Sequence, residues 1–179
     1  MALRRMDSAN EEDWIGFRAE IRELRRSMPR RITRMLEALR ELDGGGFMID
    51  QLTHCLQVAT HAERDGAPDD VILAALLHDA GKAVSPQNHG AVIAEVMRPV
   101  VSDDIYWLVK HHQDFQGRYF YAHIGRDPET YRQYASHPSF DLACRFSAWD
   151  QASFDPSYDT FPLSHFEPLI DSFWKGDAS

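Results

Sequence analysis

The residues best suited to chemistry are a histidine and an aspartate that follow one another at the end of an apolar run. Residues 71–77 contain only Val, Ile, Leu and Ala and lead directly into His78 and Asp79. Such a run predicts a buried helix whose last turn brings an imidazole and a carboxylate into the interior. A buried carboxylate is costly unless a cation pairs with it, and no Lys or Arg precedes Lys82 here, so we expect a metal ion. Gly81 predicts a left-handed helix end at a cavity wall.

Four further side chains can join this pair as metal ligands. His54 lies beside the apolar face of a predicted helix capped by Asp50, and His112 lies on the apolar face of a later helix. His89 stands just ahead of another predicted helix, and Asp150 follows a tryptophan in an apolar helical turn. The candidate set is four imidazoles and two carboxylates: His54, His78, Asp79, His89, His112 and Asp150.

The kinds and number of these ligands indicate a catalytic metal site. Nitrogen and oxygen ligands without thiolate suit Fe, Mn, Zn, Co or Ni and differ from those of a closed structural zinc site. One catalytic metal with an open position needs roughly three or four protein ligands, so the surplus favours two metals bridged by Asp79. The alternative interpretation is a set of scattered core and surface histidines that bind no metal.

The elements that position these ligands are predicted to be helices throughout. We expect an all-α fold in which residues 44–179 form the ligand-bearing domain and residues 1–43 an N-terminal helical extension. The extension shows two amphipathic helical patterns broken at Pro29. Six arginines between Arg22 and Arg34 form a basic stripe, which we interpret as a solvated helix face paired with glutamates.

Two segments are expected to lie next to a cavity. Three glycines within residues 43–47 predict a mobile loop beside it, although a plain linker has the same composition. Residues 114–137 lack clean helical periodicity and contain several aromatic residues, which fits a structured insert over a pocket. The alternative is that these aromatics fill the core.

Composition and charge limit the partners of the chain. Its 179 residues, 44% of them hydrophobic, suit one compact domain with or without a terminal extension. A net charge of −9 and a pI near 5.4 argue against nucleic-acid and anionic-membrane partners, because phosphate binding needs Lys and Arg. Two isolated cysteines fit a reducing compartment, and no leader or membrane-spanning run occurs. We expect a cytoplasmic protein with a small-molecule substrate, and a homodimer stays open.

The order of the candidate ligands resembles the pattern of a known superfamily. His54, then His78-Asp79, then Asp150 is similar to the H…HD…D pattern of the HD superfamily, whose members are helical metal-dependent phosphohydrolases and, in one branch, oxygenases. Three segments resemble the mixed-valent diiron oxygenase branch, which includes myo-inositol oxygenase and an HD oxygenase that cleaves phosphonates. They are Asp50-Gln-Leu-Thr-His54-Cys-Leu-Gln, Leu76-Leu-His-Asp-Ala-Gly-Lys82 and Phe146-Ser-Ala-Trp-Asp150.

The resemblance implies an HD-domain helical bundle with a dinuclear Fe(II)/Fe(III) centre in its core. One iron would keep exchangeable positions for a substrate hydroxyl and its neighbour. O2 as co-substrate would remove a hydrogen atom from an activated C–H bond, and a C–C or C–P bond would then be cleaved. The implied ligands are His54, His78 and Asp150 for one iron, His89 and His112 for the other, and Asp79 as the bridge.

The resemblance also suggests where a substrate binds. Lys82 stands where the inositol enzyme has a substrate-contacting lysine, so Lys82 and the bridging Asp79 are our candidate catalytic residues. The alternative for Lys82 is a solvated lysine that follows a helix end. An ammonium in the pocket would serve an anionic or polyol group.

Departures from the phosphonate enzyme affect the substrate. A lysine one turn past its last histidine is Gln116 here, and the Tyr and Glu that gate its iron are Gly44 and Phe47. Arg118 would replace the missing cation. Asp114, with the aromatics around it, would instead suit a cationic or amphipathic group. We therefore take Lys82, Arg118 and Asp114 as candidate substrate-binding residues.

Three functions remain open. The leading hypothesis is a diiron oxygenase acting on a small hydroxylated substrate of the organophosphonate or polyol kind. The second is a metal-dependent phosphohydrolase acting on a nucleotide or another phosphate ester, although little beyond Lys82 and Arg118 offers a phosphate clamp. The third is a non-catalytic metal-binding or interaction module that uses the arginine stripe.

Overall fold

A computed structural model describes residues 5–42 and 46–175, and every regular element within these ranges is helical. The all-α prediction is confirmed for this part of the chain. Gly44, expected in a loop beside the cavity, lies outside the described residues. The α-helices are α1 Glu11–Arg26, α2 Met28–Ala38, α3 Gln51–Arg64, α4 Asp69–Leu77, α5 His89–Met97, α6 Asp103–Gln116, α7 Phe140–Ala152 and α8 Leu163–Lys175. The short 3-10 helices are Met6–Ser8, Leu39–Glu41, Ala80–Ala83, Pro86–Asn88, Gly117–Tyr119, Tyr121–Ile124 and Thr130–Tyr134.

Side-chain caps begin two of the helices that carry candidate ligands. The Asp50 carboxylate accepts a hydrogen bond from the Thr53 N–H at 2.8 Å at the start of α3. The Ser102 hydroxyl accepts one from the Ile105 N–H at 3.3 Å at the start of α6. These bonds satisfy amide groups that a helix leaves without partners in its first turn. The beginnings of both helices therefore follow from local sequence.

The left-handed helix end expected at Gly81 is wrong. Positive φ angles among the described residues occur only at Gly46, Gly66 and Gly125. Gly81 lies instead in the 3-10 turn Ala80–Ala83, where an added Cβ would overlap the backbone carbonyl of His89. The glycine is needed because the start of α5 passes directly against this turn. That close approach brings His89 next to the end of α4.

The ligand-bearing helices enclose one interior. α3 packs against α4 and α7, while α6 packs against α5 and α7. The apolar residues of α4, Val71 to Leu77, are buried at the centre of the resulting core. α8 packs against α2 and α4 and buries Phe166, Ile170 and Trp174. The apolar run in the middle of the sequence is therefore the middle of the fold.

The N-terminal segment divides into two helices with different environments. α2 contributes Ile32 and Leu36 to the same core as the ligand-bearing helices, whereas none of the residues of α1 is buried. The break between them lies at Ser27, and Pro29 occupies the first turn of α2, where its missing N–H costs no helix bond. The domain boundary that we place at residue 43 stays a prediction.

The arginine stripe has fewer ion pairs than expected. Among the described residues, the single ion pair made by its six arginines joins Arg26 to Glu23 at 3.9 Å. Arg25, Arg26 and Arg30 line a separate cavity of about 480 Å³ near Trp174, far in sequence from every candidate ligand. None of the six candidate metal ligands lines this cavity.

None of the described helices has both the length and the apolar character needed to cross a membrane.

Candidate metal centre

The six candidate ligands meet in the interior. They lie on α3, at the end of α4, at the start of α5, on α6 and on α7, and none of them is more than 3% exposed. Buried imidazoles and carboxylates at this density need compensation, because each loses its hydration when the helices pack. The side chains that converge are His54, His78, Asp79, His89, His112 and Asp150.

The carboxylate of Asp79 lies between two groups of imidazoles. Its Oδ1 is 3.0 Å from Nε2 of His89 and 3.6 Å from Nε2 of His112. Its Oδ2 is 3.5 Å from Nε2 of His78 and 3.6 Å from Nε2 of His54. Each oxygen thus faces a different pair of histidines, which is the arrangement expected of a carboxylate that bridges two cations.

Asp150 completes the group on the Oδ2 side of Asp79. Its Oδ1 lies 3.1 Å from Nε2 of His54 and 3.8 Å from Nε2 of His78. These three residues offer ligand atoms within 4.8 Å of one another, and so do His78, Asp79 and His112. Either group has the number and kind of ligands that one catalytic metal requires.

All four histidines are oriented by the protein backbone. Each Nδ1 lies 2.7–2.8 Å from a backbone carbonyl oxygen. Because a carbonyl only accepts hydrogen bonds, Nδ1 carries the proton and Nε2 of the neutral ring directs a lone pair at the centre. This is the tautomer that a metal ligand needs. The carbonyls belong to Ser153 for His54, Ala75 for His78, Pro86 for His89 and Val109 for His112.

Several atoms at the centre have no hydrogen-bond partner among the described residues. They include Nε2 of His78, Nε2 of His54 and Oδ2 of Asp150, each fully buried. Nε2 of His54 lies 3.1 Å from Oδ1 of Asp150, but in the tautomer described above it has no hydrogen to donate. A buried polar atom without a partner costs about 1–3 kcal/mol. A cation would accept these lone pairs, so the residues present fit a bound metal.

Burial and mutual contacts set the charges of these groups. Burial lowers the pKa of His78 to about 4. Burial also opposes a charge on His54 and His112, but the Asp150 carboxylate beside His54 and the Asp79 carboxylate beside His112 outweigh it and raise the pKa of both. Burial disfavours ionised Asp79, yet the surrounding histidines and Lys82 hold its pKa well below the usual range. Asp79 is therefore a carboxylate at neutral pH.

Lys82 gives Asp79 a partner that the sequence reasoning did not expect. Its Nζ lies 2.5 Å from Oδ2 of Asp79 and donates to Oε1 of Gln51 at 2.8 Å. The interior carboxylate is thus compensated in part by a lysine one turn further along the chain. Only 26% of the Lys82 side chain is exposed. Lys82 is therefore not a solvated lysine, and its contact with Asp79 places it at the centre.

Two glutamines contact the centre, and sequence reasoning did not assign them this role. Gln51 holds Lys82, and Gln116 donates to Oδ1 of Asp150 at 2.8 Å. Each is about one helical turn from a candidate ligand: Gln51 precedes His54 by three residues and Gln116 follows His112 by four. Helical spacing from the ligands was the signal that could have found them.

A cavity of about 650 Å³ adjoins the centre. Phe154 packs on the His54 ring with centroids 4.4 Å apart, and Phe47 stacks on Phe154 at 3.9 Å. The cavity is thus mostly aromatic, and its polar side chains are Lys82, Gln116, Gln151 and the hydroxyl-bearing Tyr119. Its lining is Phe47, Lys82, Gln116, Tyr119, Phe120, Gln151 and Phe154.

Comparison with protein families agrees with this geometry. The family model named HD domain matches residues 52–149, which is more than half of the chain. The chain belongs to the HD-domain family. The matched range contains five of the six candidate ligands and ends one residue before Asp150. The HD-domain family is generally enzymatic and its members bind metals. A comparison with curated proteins finds no match.

Two residues that we expected to contact substrate do not line the cavity of this HD domain. Arg118 donates to the Cys144 carbonyl at 3.0 Å and to the Tyr119 hydroxyl at 2.9 Å. Asp114 accepts a hydrogen bond from the Tyr134 hydroxyl at 2.8 Å. Arg118 therefore fastens the insert to α7, and Asp114 of α6 fastens it through Tyr134. The insert itself contributes Tyr119 and Phe120 to the lining.

Proposed function

We propose that this HD domain is a non-heme diiron oxygenase that uses O2 to oxidise and cleave a small hydroxylated substrate of the organophosphonate or polyol kind. The observation that carries the proposal is Asp79, whose two oxygens face two separate pairs of imidazoles. The three segments that resemble the oxygenase branch support the choice of iron. A cavity of about 650 Å³ suits a small-molecule substrate. We also propose that the protein acts in the cytoplasm.

Asp79 is shared by the two proposed sets of iron ligands and lies between them. When bound, the two irons would supply one-electron chemistry with O2 and open positions for a substrate hydroxyl. Backbone carbonyls behind the histidines hold the rings in place, so little reorganisation is needed when metal binds. The proposed ligands are His54, His78 and Asp150 for one iron, His89 and His112 for the other, and Asp79 for both.

Lys82 is proposed to bind and orient the substrate. Its ammonium lies between the bridging carboxylate and the cavity, where an anionic or polyol group of the substrate would accept its hydrogen bonds. Contact with Asp79 and Gln51 fixes the ammonium before substrate arrives. This positioning would hold one C–H bond of the substrate against the open side of the centre.

The aromatic lining is proposed to exclude water from the reacting bond. Phe154 covers His54, and Phe47 covers Phe154, so apolar surface separates this side of the centre from solvent. Exclusion of water protects reactive species from side reactions. Lys82 is the one cation in the lining among the described residues, and a single ammonium offers little charge to neutralise a phosphate ester. This composition favours the oxygenase.

A phosphohydrolase is the second candidate, and Lys82 is the observation that favours it. An ammonium beside the bridging carboxylate could neutralise a phosphate ester, and paired metals suit in-line displacement at phosphorus. The two candidates share the ligands and differ in the metal, in the co-substrate and in the bond broken.

The deciding experiment compares two assays on protein purified without added metal. We expect about two irons per chain by elemental analysis, and oxygen uptake with at least one member of a panel of hydroxyphosphonates and polyols. A parallel panel of nucleotides and sugar phosphates is assayed for phosphate release. Asp79→Ala should abolish uptake, whereas the neighbouring control His111→Ala should retain it. Protein that holds Mn or Zn, releases phosphate and consumes no oxygen would contradict the proposal.

A further inference from the structure

Helix α1 carries an apolar stripe that the rest of the described chain covers only in part. The helix runs for 16 residues, contacts α2 and α8, and has no buried residue. Phe17 is 39% exposed and Leu24 is 49% exposed, although both are large apolar side chains. An isolated helix of this length is marginal in water, and most helical stability in proteins comes from packing an apolar face.

The stripe has the spacing of a helix-pairing seam. Trp14, Phe17, Ile21 and Leu24 are separated by three, four and three residues. This alternation is that of the a and d positions by which two helices pack side by side. Trp14 and Ile21, the a positions, are half-buried, whereas Phe17 and Leu24, the d positions, are exposed. The d side of the seam is therefore open to a second helix.

The charges of α1 favour antiparallel pairing with a second copy of the same helix. Glu11, Glu12 and Asp13 occupy its first turn, and Arg25 and Arg26 its last turn. Two copies placed antiparallel bring the acidic end of each helix beside the basic end of the other. A parallel arrangement would place like charges together. The charge pattern therefore identifies a second copy of this chain as the partner.

We propose that α1 is a dimerisation helix that pairs antiparallel with α1 of a second copy about a two-fold axis. In this register Trp14 packs opposite Leu24 of the second copy, and Phe17 opposite its Ile21. Glu11 and Arg25 each directly follow a d position. Glu11 of one copy therefore lies beside Arg25 of the other, and the two-fold axis repeats this pair at the opposite end of the interface.

The dimer is expected to be weak. A helix of 16 residues is about 24 Å long, and two such helices bury less than a standard interface of roughly 1,600 Å². Symmetry also places Arg18 near its own copy at the axis, which opposes association. We expect a dissociation constant on the order of micromolar.

Sedimentation velocity of the full-length protein over a concentration series tests the proposal. Wild type should shift from monomer to dimer, while Phe17→Glu should remain monomeric with an unchanged helical circular dichroism spectrum. The matched control is Ile15→Glu, which adds the same charge at an exposed position off the stripe and should still dimerise. A wild-type protein that stays monomeric at all concentrations overturns the proposal. Binding of a monomeric protein to phosphatidylserine-containing vesicles through this stripe would also overturn the proposal.

Charge reversal tests the antiparallel arrangement. Glu11→Arg and Arg25→Glu each place like charges at both ends of the interface, and each should weaken dimerisation on the order of tenfold. The double variant restores opposite charges and should recover most of the affinity. Loss of affinity in both single variants without recovery in the double variant would contradict the arrangement. None of these variants touches a residue of the metal centre, so the result is independent of the proposed oxygenase activity.

Discussion

Nε2 of His89 lies 3.2 Å from Nε2 of His112, although each ring already binds a backbone carbonyl through Nδ1. Because Nδ1 of each ring holds a proton, the Nε2 lone pairs of the two rings repel one another unless a proton or a cation lies between them. Oδ1 of Asp79 lies beside the same pair at 3.0 Å from His89. The three groups together form the second half of the proposed dinuclear centre.

Removal of single ligands should change the metal content in steps. His112→Ala should reduce about two metals per chain to about one, because it removes a ligand from one half of the centre. Asp79→Ala should leave less than one, because it removes the bridge. Elemental analysis of purified protein measures this. The control His111→Ala changes the adjacent residue, whose Nδ1 lies 2.9 Å from the Tyr134 hydroxyl, and should keep both metals; equal losses from His111→Ala and His112→Ala would contradict the assignment.

Metal affinity should increase with pH. The raised pKa values of His54 and His112 mean that both rings tend to hold a second proton in the metal-free protein, and metal must displace it. His78 has a pKa of about 4 and is neutral already, so it should release none near neutral pH. Affinity should therefore rise until the pH exceeds the raised pKa values of these two rings, which lie above the ordinary histidine value of about 6.5. Calorimetry in two buffers of different ionisation enthalpy measures the released protons, and binding that releases none would refute this.

The same shifts set the pH dependence of the metal-free fold. His54 and His112, with raised pKa values, contribute stability that is present below about pH 6.5 and lost as pH rises through their folded-state values. His78 acts in the opposite sense, since its stabilising neutral form is lost as pH falls from about 6.5 toward 4. We therefore expect the chelator-treated His78→Gln protein to lose less unfolding free energy on acidification than chelator-treated wild type. Chemical denaturation measures both. An identical acid response in both proteins would contradict the shift at His78.

Gly81→Ala should destabilise the protein and disturb half of the centre. Its Cβ would overlap the carbonyl of His89, and overpacking against backbone costs about 1–3 kcal/mol of unfolding free energy. The matched control is Gly16→Ala in exposed α1, where nothing lies within 4 Å and helix propensity should add roughly 0.5–1 kcal/mol. Denaturant unfolding and metal analysis measure both effects. A stable Gly81→Ala protein with two metals would show that the approach of α5 is not tight.

Lys82→Met should impair substrate binding while the metals stay bound. A hydrogen bond to a charged group is worth about 1.5–3 kcal/mol, so the KM of the substrate found by oxygen uptake should rise roughly 10-fold to 150-fold. Lys110→Met is the control, because Lys110 is exposed and its ammonium contacts the Tyr106 hydroxyl on the surface. Steady-state kinetics with metal analysis would separate the outcomes. Loss of metal from Lys82→Met would instead assign the lysine to support of Asp79.

Much of the architecture was predictable because its causes are local. The Asp50 and Ser102 caps, the apolar run of α4 and the aromatic insert all follow from residues within a few positions of one another. The six candidate ligands could be chosen for the same reason, since each lies on or beside an apolar helical face. Their assignment to two metals stays a prediction, although the structure brings all six together.

Sequence-based prediction was limited where distant segments meet, and it was wrong at Gly81. Gly81 follows a helix, so a helix-end conformation was expected, whereas contact with His89 explains the glycine. Arg118 lies in the 3-10 helix Gly117–Tyr119 and Asp114 in α6, and their side chains contact Cys144 and Tyr134 without lining the cavity. Their roles in substrate binding stay predictions, because the direction of such a side chain depends on which partners tertiary packing supplies.

The sequence alone determined that this chain is helical and that imidazoles and carboxylates lie on the buried faces of its helices, because hydrophobic period and capping act within a few turns. Only the tertiary structure decided that Oδ1 and Oδ2 of Asp79 face different pairs of histidines and that Lys82 joins them. Those contacts depend on how helices far apart in sequence are packed and rotated against one another. That relative placement is a property of the whole core and of no single segment.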